Sequence, residues 1–202
     1  MHIYLVRHGE TDWNTRLLFQ GQTDIPLNKT GISQARHIGA ELKCKNIGAI
    51  ISSDLSRAYL TAAEVKKACG IQGAIEKNNG LRERDYGALE GKKYVMLGSP
   101  RASCKVESDK KFFARVNRAF EDVLKKYKGK NIAVITHGGV VRQIVSYVLG
   151  LKDYRKLRIY NASISEIFFD ADKKSFFLLL LNSVSHLSVK ERNSIEYHIK
   201  GV

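Results

Sequence analysis

Hydrophobic and polar positions alternate along the chain in a regular order. Ile3 to Val6 is a short apolar run, the pattern of a strand buried on both faces. Thr30 reads as a helix N-cap, after which Ile32, Ala35, Ile38 and Leu42 recur at helical spacing. Ile47 to Ser52 predicts a second buried strand. Leu55, Ala58, Ala62, Val65 and Cys69 mark a second helix, closed by Gly70. Asp109 is placed to cap a long helix with Phe112, Val116, Phe120, Val123 and Tyr127 on one face, ended by Gly129. Asn131 to His137 is rich in β-branched residues and predicts a third strand. Gly138 and Gly139 then open a helix through Val141, Ile144, Val145 and Val148, which Gly150 closes. Ile164 to Phe169 and Phe176 to Leu181 are late strands joined by the turn-like "DADKKS".

Strands alternate with helices up to Gly150, so the pattern predicts an α/β fold with a mostly parallel sheet and helices on both faces. The late pair adds an antiparallel edge. Gly91 to Ser108 shows no period and reads as a short cap insertion over one end of the sheet. The 202 residues fit a single domain, 1–202.

In such sheets ligands sit beyond the carboxyl ends of the strands, and polar clusters fall at those places. Arg7, His8 and Gly9 follow the first strand. "SSDLSR", ending at Arg57, follows the second. His137 and Gly138 follow the third, and the loop "LRERDYGALEG" offers Glu83. Arginine forks match phosphate oxygens. A helix starting at Gly138 adds backbone N–H groups and a positive dipole end. A neutral histidine nitrogen attacks phosphorus, and a protonated carboxyl supplies the departing alkoxide with its proton.

The set therefore supports phosphoryl transfer through a phosphohistidine. His8 attacks; Arg7, Arg57 and His137 hold the equatorial oxygens; Glu83 serves the leaving group and then the water. The arginines neutralise the charge, so the chemistry requires no metal and no cofactor. Gly9, Gly138 and Gly139 are expected to let phosphate approach the backbone. Asn14, Gln20, Gly21 and Thr23 lie just beyond the first strand and are candidate neutral donors in the pocket. Taken singly, each residue has an ordinary structural reading: a histidine satisfied at a strand end, a glutamate paired in a charged loop, an arginine that starts a helix. Taken jointly, the clusters favour chemistry.

Composition narrows the classes. The three cysteines, Cys44, Cys69 and Cys104, are widely spaced and form no CxxC pair, which argues against a zinc knuckle or disulfide framework and for reduced thiols in a cytoplasmic setting. No signal-peptide pattern and no apolar run of membrane length is present. The formal net charge of +14 invites nucleic acid, yet the lysines are scattered and no basic stripe interleaves with aromatics, a footprint that argues against a nucleic-acid role.

Four stretches together resemble a known family. "LVRHGETDWN", "SSDLSRAYLTA", "LRERDYGALEG" and "VITHGGVVR" occur in the order found in the histidine phosphatase superfamily, the phosphoglycerate mutase-like family. The resemblance runs from residue 3 to about 150, and "NASISEIFFD" is similar to its phosphatase branch. It implies a three-layer α/β/α sandwich, His8 as the phosphorylated residue, Glu83 as proton donor, and Arg7, Arg57 and His137 as the phosphate pocket. It further implies contacts from Asn14, from the Gln20–Gly21 turn and from the backbone at Gly138.

Mutases of this family carry a longer segment between the acid and the second histidine; here only Arg84 to Thr136 intervenes. Lys92, Lys93, Arg101 and Lys105 remain candidates to meet an acidic substrate. The expectation is a metal-independent phosphomonoesterase acting on a small phosphorylated metabolite. A bisphosphoglycerate-dependent mutase, a phosphoprotein phosphatase and a basic binding module are the alternatives. Oligomeric state, monomer or homodimer, stays open.

Overall fold

The computed structural model describes residues 1–94, 104–151 and 156–193. Six strands form one sheet in the order β3-β2-β4-β1-β5-β6. These are β1 (His2–Arg7), β2 (Ile47–Ser52), β3 (Glu76–Lys77), β4 (Asn131–Thr136), β5 (Ile164–Asp170) and β6 (Ser175–Ser183). β1 to β4 run parallel, while β5 lies antiparallel to β1 and β6 antiparallel to β5. The mixed α/β sheet is the expected one, with the antiparallel edge where the late strands predicted it.

The helices are α1 (Asp12–Thr15), α2 (Lys29–Leu42), α3 (Ser56–Cys69), α4 (Asp109–Lys126) and α5 (Gly138–Leu149). Alternate residues of the central strands feed two separate cores. Ile3, Leu5, Ile132 and Val134 pack with Phe112, Phe120 and Ile144 of α4 and α5. Tyr4, Val6, Ala133 and Ile135 pack with Ile38, Leu42, Ala62 and Val65 of α2 and α3. Burial on both faces explains why these strands read as unbroken apolar runs. Among the described residues no helix is long and apolar enough to cross a membrane.

Several boundaries differ from the sequence reading. Asn28, not Thr30, caps α2: its extended backbone lets Oδ1 accept the Gly31 N–H at 2.8 Å. Ser108, not Asp109, caps α4, while Asp109 enters the first turn and pairs with Arg84. Gly70 and Gly150 close α3 and α5 in the left-handed conformation, as expected. The single-turn α1, held by a Thr11–Asn14 capping box, and the two-residue β3 are too short to show a period.

The middle of the predicted cap, 95–103, including Arg101, lies outside the described residues. Its two described ends are anchored. Residues 91–94 run beside 17–19, with Phe19 N donating to Lys92 O at 2.9 Å and Tyr94 N to Leu17 O at 2.9 Å. On the returning side Glu107 N donates to Asp85 O at 2.8 Å.

Candidate active site

The parallel ladder continues one step past β1, where His8 N donates to Thr136 O at 2.9 Å. His8 is buried, and its Nδ1 lies 2.6 Å from the Gly9 carbonyl. A carbonyl only accepts, so Nδ1 carries the proton and Nε2 keeps a free lone pair. Burial, then the Arg57 and Arg7 charges, push the His8 pKa well below 6.5, so the ring is neutral at physiological pH.

Gly9 has a structural reason that differs from the expected one. A Cβ there would sit 2.4 Å from the Gly31 carbonyl oxygen, so the glycine lets the strand-end loop meet the start of α2. It is not there to clear space for phosphate.

His137 is the residue before α5 and is fully buried. Its ring centroid is 5.2 Å from that of His8, edge to face. Arg57 Nε donates to His137 Nδ1 at 3.3 Å, which places the proton on Nε2, 2.9 Å from Ser53 Oγ. Both ring nitrogens are thus engaged, with Arg57 and Ser53, rather than turned toward an open oxyanion position. Burial, again with the Arg57 charge, lowers the His137 pKa well below 6.5.

Arg57 stands in the first turn of α3 and is fully buried. Its Nη2 donates to Gly21 O at 2.6 Å and its Nη1 to Thr23 O at 2.9 Å. Arg7 Nη1 donates to Ile159 O at 2.6 Å, while Arg7 Nε is buried with no hydrogen-bond partner among the described residues. Burial lowers both guanidinium pKa values, that of Arg57 to about 10, and both remain charged at neutral pH. Carbonyl dipoles, not carboxylates, hold the two cations. The floor of the site therefore keeps a positive potential in a low-dielectric setting.

Glu83 faces this floor from a loop. Its Oε2 accepts from Gly139 N at 2.9 Å and its Oε1 from Arg84 N at 2.8 Å. A Cβ on Gly139 would lie 2.2 Å from Glu83 Oε1, so this glycine clears space for the carboxylate, not for phosphate. The α5 N-terminus thus spends its second amide on Glu83. Gly138 lines the cavity beside Arg7.

His8, Arg7, Arg57, Glu83 and His137 converge on one cavity of about 790 Å³. Asn14, Gln20 and Gly21 also line it. Thr11 N, Thr11 Oγ1 and Asn161 Nδ2 all donate to Asn14 Oδ1, at 3.1, 3.0 and 3.0 Å, which leaves the amide NH₂ as the end that a ligand can use. Thr23 departs from the expectation. It is not a lining residue; its N–H and hydroxyl donate to Glu90, and its carbonyl holds Arg57. Lys92, Lys93 and Lys105 likewise lie off the cavity wall.

Sequence reasoning missed Ser53, Asn161, Glu90, Arg142 and Tyr94 as parts of this site. Only Ser53, in the polar step after β2, carried a local signal.

Residues 3–182 match the histidine phosphatase superfamily (branch 1). The chain belongs to that superfamily. It is 32% identical to "Probable phosphoglycerate mutase GpmB" of Enterobacter sp. (strain 638), covering 97% of this chain and 99% of the relative. The phosphoserine phosphatase of Entamoeba histolytica, solved with 3-phosphoglyceric acid, superposes with a TM-score of 0.80 at 27% identity, covering 93% of this chain and 99% of that one. The alpha-ribazole phosphatase of Shigella flexneri gives a TM-score of 0.80 at 26% identity, over 91% of this chain and 96% of its own. Superfamily, α/β architecture and phosphoglycerate mutase-like fold thus agree with the sequence reading. The relatives include both phosphatases and mutases.

Proposed function

We propose that this protein is a metal-independent phosphomonoesterase that hydrolyses a small phosphorylated metabolite through phosphohistidine at His8. The observation that carries the reading is the His8 tautomer. A buried neutral imidazole with its proton fixed on Nδ1 presents an unprotonated Nε2 beside two guanidinium groups that pair with no carboxylate among the described residues.

In the first step Nε2 forms the N–P bond while the ester P–O bond breaks. Protonated Glu83 gives its proton to the departing oxygen, and Arg7 and Arg57 stabilise the equatorial oxygens. In the second step Glu83 takes a proton from water, the water oxygen bonds to phosphorus, and the N–P bond breaks to release phosphate. Each Glu83 oxygen accepts one N–H, which leaves each a lone pair for the shuttled proton. When phosphoryl occupies the floor, Arg57 exchanges its long 3.3 Å contact with His137 for a phosphate oxygen, and His137 follows in its other neutral tautomer, the proton moving from Nε2 to Nδ1 while Nε2 accepts from the Ser53 hydroxyl.

The short segment between Glu83 and His137 favours hydrolysis, and the name carried by the Enterobacter relative favours a mutase as the second reading. A panel of phosphate monoesters assayed with EDTA, on wild type and His8→Ala, separates the two. Free phosphate from the wild type alone supports the phosphatase. Primer-dependent interconversion of phosphoglycerates without free phosphate replaces it with the mutase. Full activity in His8→Ala removes both.

A further inference from the structure

Contacts from one short segment, residues 159–163, converge on the strand end that carries Arg7, His8 and Gly9. Ile159 O accepts from Arg7 Nη1 at 2.6 Å, and Ser163 O accepts from Arg7 N at 3.1 Å. Ala162 N donates to His8 O at 3.0 Å. Asn161 Nδ2 donates to His8 O and to Gly9 O, at 3.3 Å each. The segment is itself pinned, since Tyr160 N donates to Asn182 Oδ1 at 2.7 Å.

Asn161 holds the centre of this arrangement. Its NH₂ also donates to Asn14 Oδ1 at 3.0 Å, so three oxygens aim at one nitrogen. Two hydrogens serve them, one through a three-centre bond. Left without the donor, oxygens so placed repel one another. Asn161 reaches this spot on strained backbone. The next residue, Ala162, is fully buried at φ +58°, in the left-handed region that residues with a Cβ seldom adopt. Such strain persists only where the surrounding structure fixes it, and it gathers at functional sites.

We infer that Asn161 is a positioning residue that keeps His8 in its reactive tautomer and ties it to the Asn14 donor. The inference rests on the reading of His8 as the phosphorylated residue. Gly9 O has two lone pairs. One takes the His8 Nδ1 proton at 2.6 Å, and the other takes Asn161. Asn161 thereby fixes the carbonyl that fixes the imidazole, and Nε2 stays bare. The same NH₂ occupies Asn14 Oδ1, which keeps the Asn14 NH₂ for the cavity that both residues line. Without Asn161, Gly9 O is free to swing, and the ring is free to carry its proton on Nε2, where it no longer attacks phosphorus. Its role runs through His8 and Asn14 rather than through the reacting atoms.

The tautomer can be read directly. Two-bond proton–nitrogen correlation spectra are recorded at about pH 7.5 on protein with isotope-labelled histidines, and His8 is assigned by its loss in His8→Asn. Wild type is expected to show Nδ1 protonated and Nε2 bare. In Asn161→Ala the Nε2 resonance should move toward the protonated position. Phosphoenzyme formation from p-nitrophenyl phosphate, followed by rapid quench, should slow roughly 10- to 100-fold. Asn14→Ala should raise KM without moving the tautomer. Asn161→Gln, which returns the NH₂ on a longer stem, should recover part of both the tautomer and the rate. Melting establishes that each variant is folded. If the alanine variant is not, Asn161→Asp, which keeps the shape and replaces the NH₂ by oxygen, takes its place. A tautomer that stays put while only the melting temperature drops, because water bridges the oxygens, overturns the inference. So does a slower reaction with the tautomer unchanged, or Nε2 already protonated in wild type. Failure of the phosphatase reading shows separately: the tautomer then still answers to Asn161, yet wild type releases no phosphate.

Discussion

His8 and His137 stand at the ends of neighbouring parallel strands, whereas Glu83 stands on a loop between two short 3-10 turns, Asn79–Leu81 and Gly87–Leu89. The histidines are fixed by the sheet itself: His8 extends the ladder through Thr136, and both rings are buried with their protons assigned by neighbours. Glu83 owes its place to side chains and amides from elsewhere. Its carboxylate is bonded to Gly139 N and Arg84 N, and its carbonyl accepts from Gln22 Nε2 at 3.2 Å and Arg115 Nη2 at 3.3 Å. A nucleophile must hold one lone pair on one line of attack, which suits a strand end. A group that gives and takes a proton must meet two different oxygens, which suits a loop with hydrogen bonds that can exchange.

The largest break in this comparison comes from the nucleophile. His8→Asn should lower phosphate release roughly 10⁴-fold or more, because it removes the covalent step that every other group serves. Glu83→Gln should differ in kind. Phosphoenzyme should still form from esters with good leaving groups and then accumulate, since the water lacks its base; acid-labile label on the protein after quenching measures this. Equal loss of phosphoenzyme in both variants would mean that the strand end and the loop do not divide the work.

Gly139→Ala probes the loop alone. Its new methyl would meet the Glu83 carboxylate while leaving His8 and Arg57 untouched. The expected loss is about 10² to 10³ in kcat for alkyl phosphates, which need the acid, and much less for an aryl phosphate with a good leaving group. Uniform loss across both ester types would locate the damage in the phosphate floor instead.

What the sequence made legible follows the same division. A short apolar run that breaks into Arg7, His8 and Gly9 marks a strand-end site, because burial and polarity change within a residue. The histidines and arginines were therefore readable, and so was the parallel sheet. The supports were not. Asn161, which donates to His8 O and Gly9 O at 3.3 Å each, and Arg115 lie far along the chain from what they hold, and no local pattern records such a contact. The glycines were readable as close approaches, yet what approaches was not: Gly9 meets Gly31, and Gly139 meets Glu83, where phosphate was expected. Thr23 was misplaced for a related reason, since its carbonyl rather than its hydroxyl serves Arg57.

Arg115 tests the support of the loop more gently. From α4 it donates to the carbonyls of Gly80 and Arg82 at 2.9 Å each and of Glu83 at 3.3 Å, while Glu107 accepts from its fork at 3.0 and 2.7 Å. Arg115→Met should cost about 2 kcal/mol of stability, mostly from the unpaired Glu107 and the freed carbonyls. kcat for alkyl phosphates should fall about tenfold through a loosened Glu83, with KM changed less. Urea titration and steady-state kinetics read the two effects. A rise in KM with kcat intact would make Arg115 part of substrate binding instead.

The smallest effect concerns the histidines and separates stability from activity. Burial holds the His8 and His137 pKa values well below 6.5 in the folded protein, whereas the unfolded chain titrates near 6.5. Below about pH 6.5 the unfolded chain therefore binds protons that the folded protein refuses, so stability falls as pH falls and is fully present above that value. From about pH 7.5 to 5.5 each histidine should remove about 1.4 kcal/mol, and His8→Asn should abolish one share. Activity should behave differently over the same range. His8 Nε2 stays unprotonated, so kcat/KM should show no fall centred near pH 6.5 while the protein remains folded. Urea unfolding and kinetics at matched pH values check both halves. An activity loss centred at 6.5 with unchanged stability would mean that the imidazole titrates as it does in water, and the strand-end site would lose the feature that sets it apart from the loop.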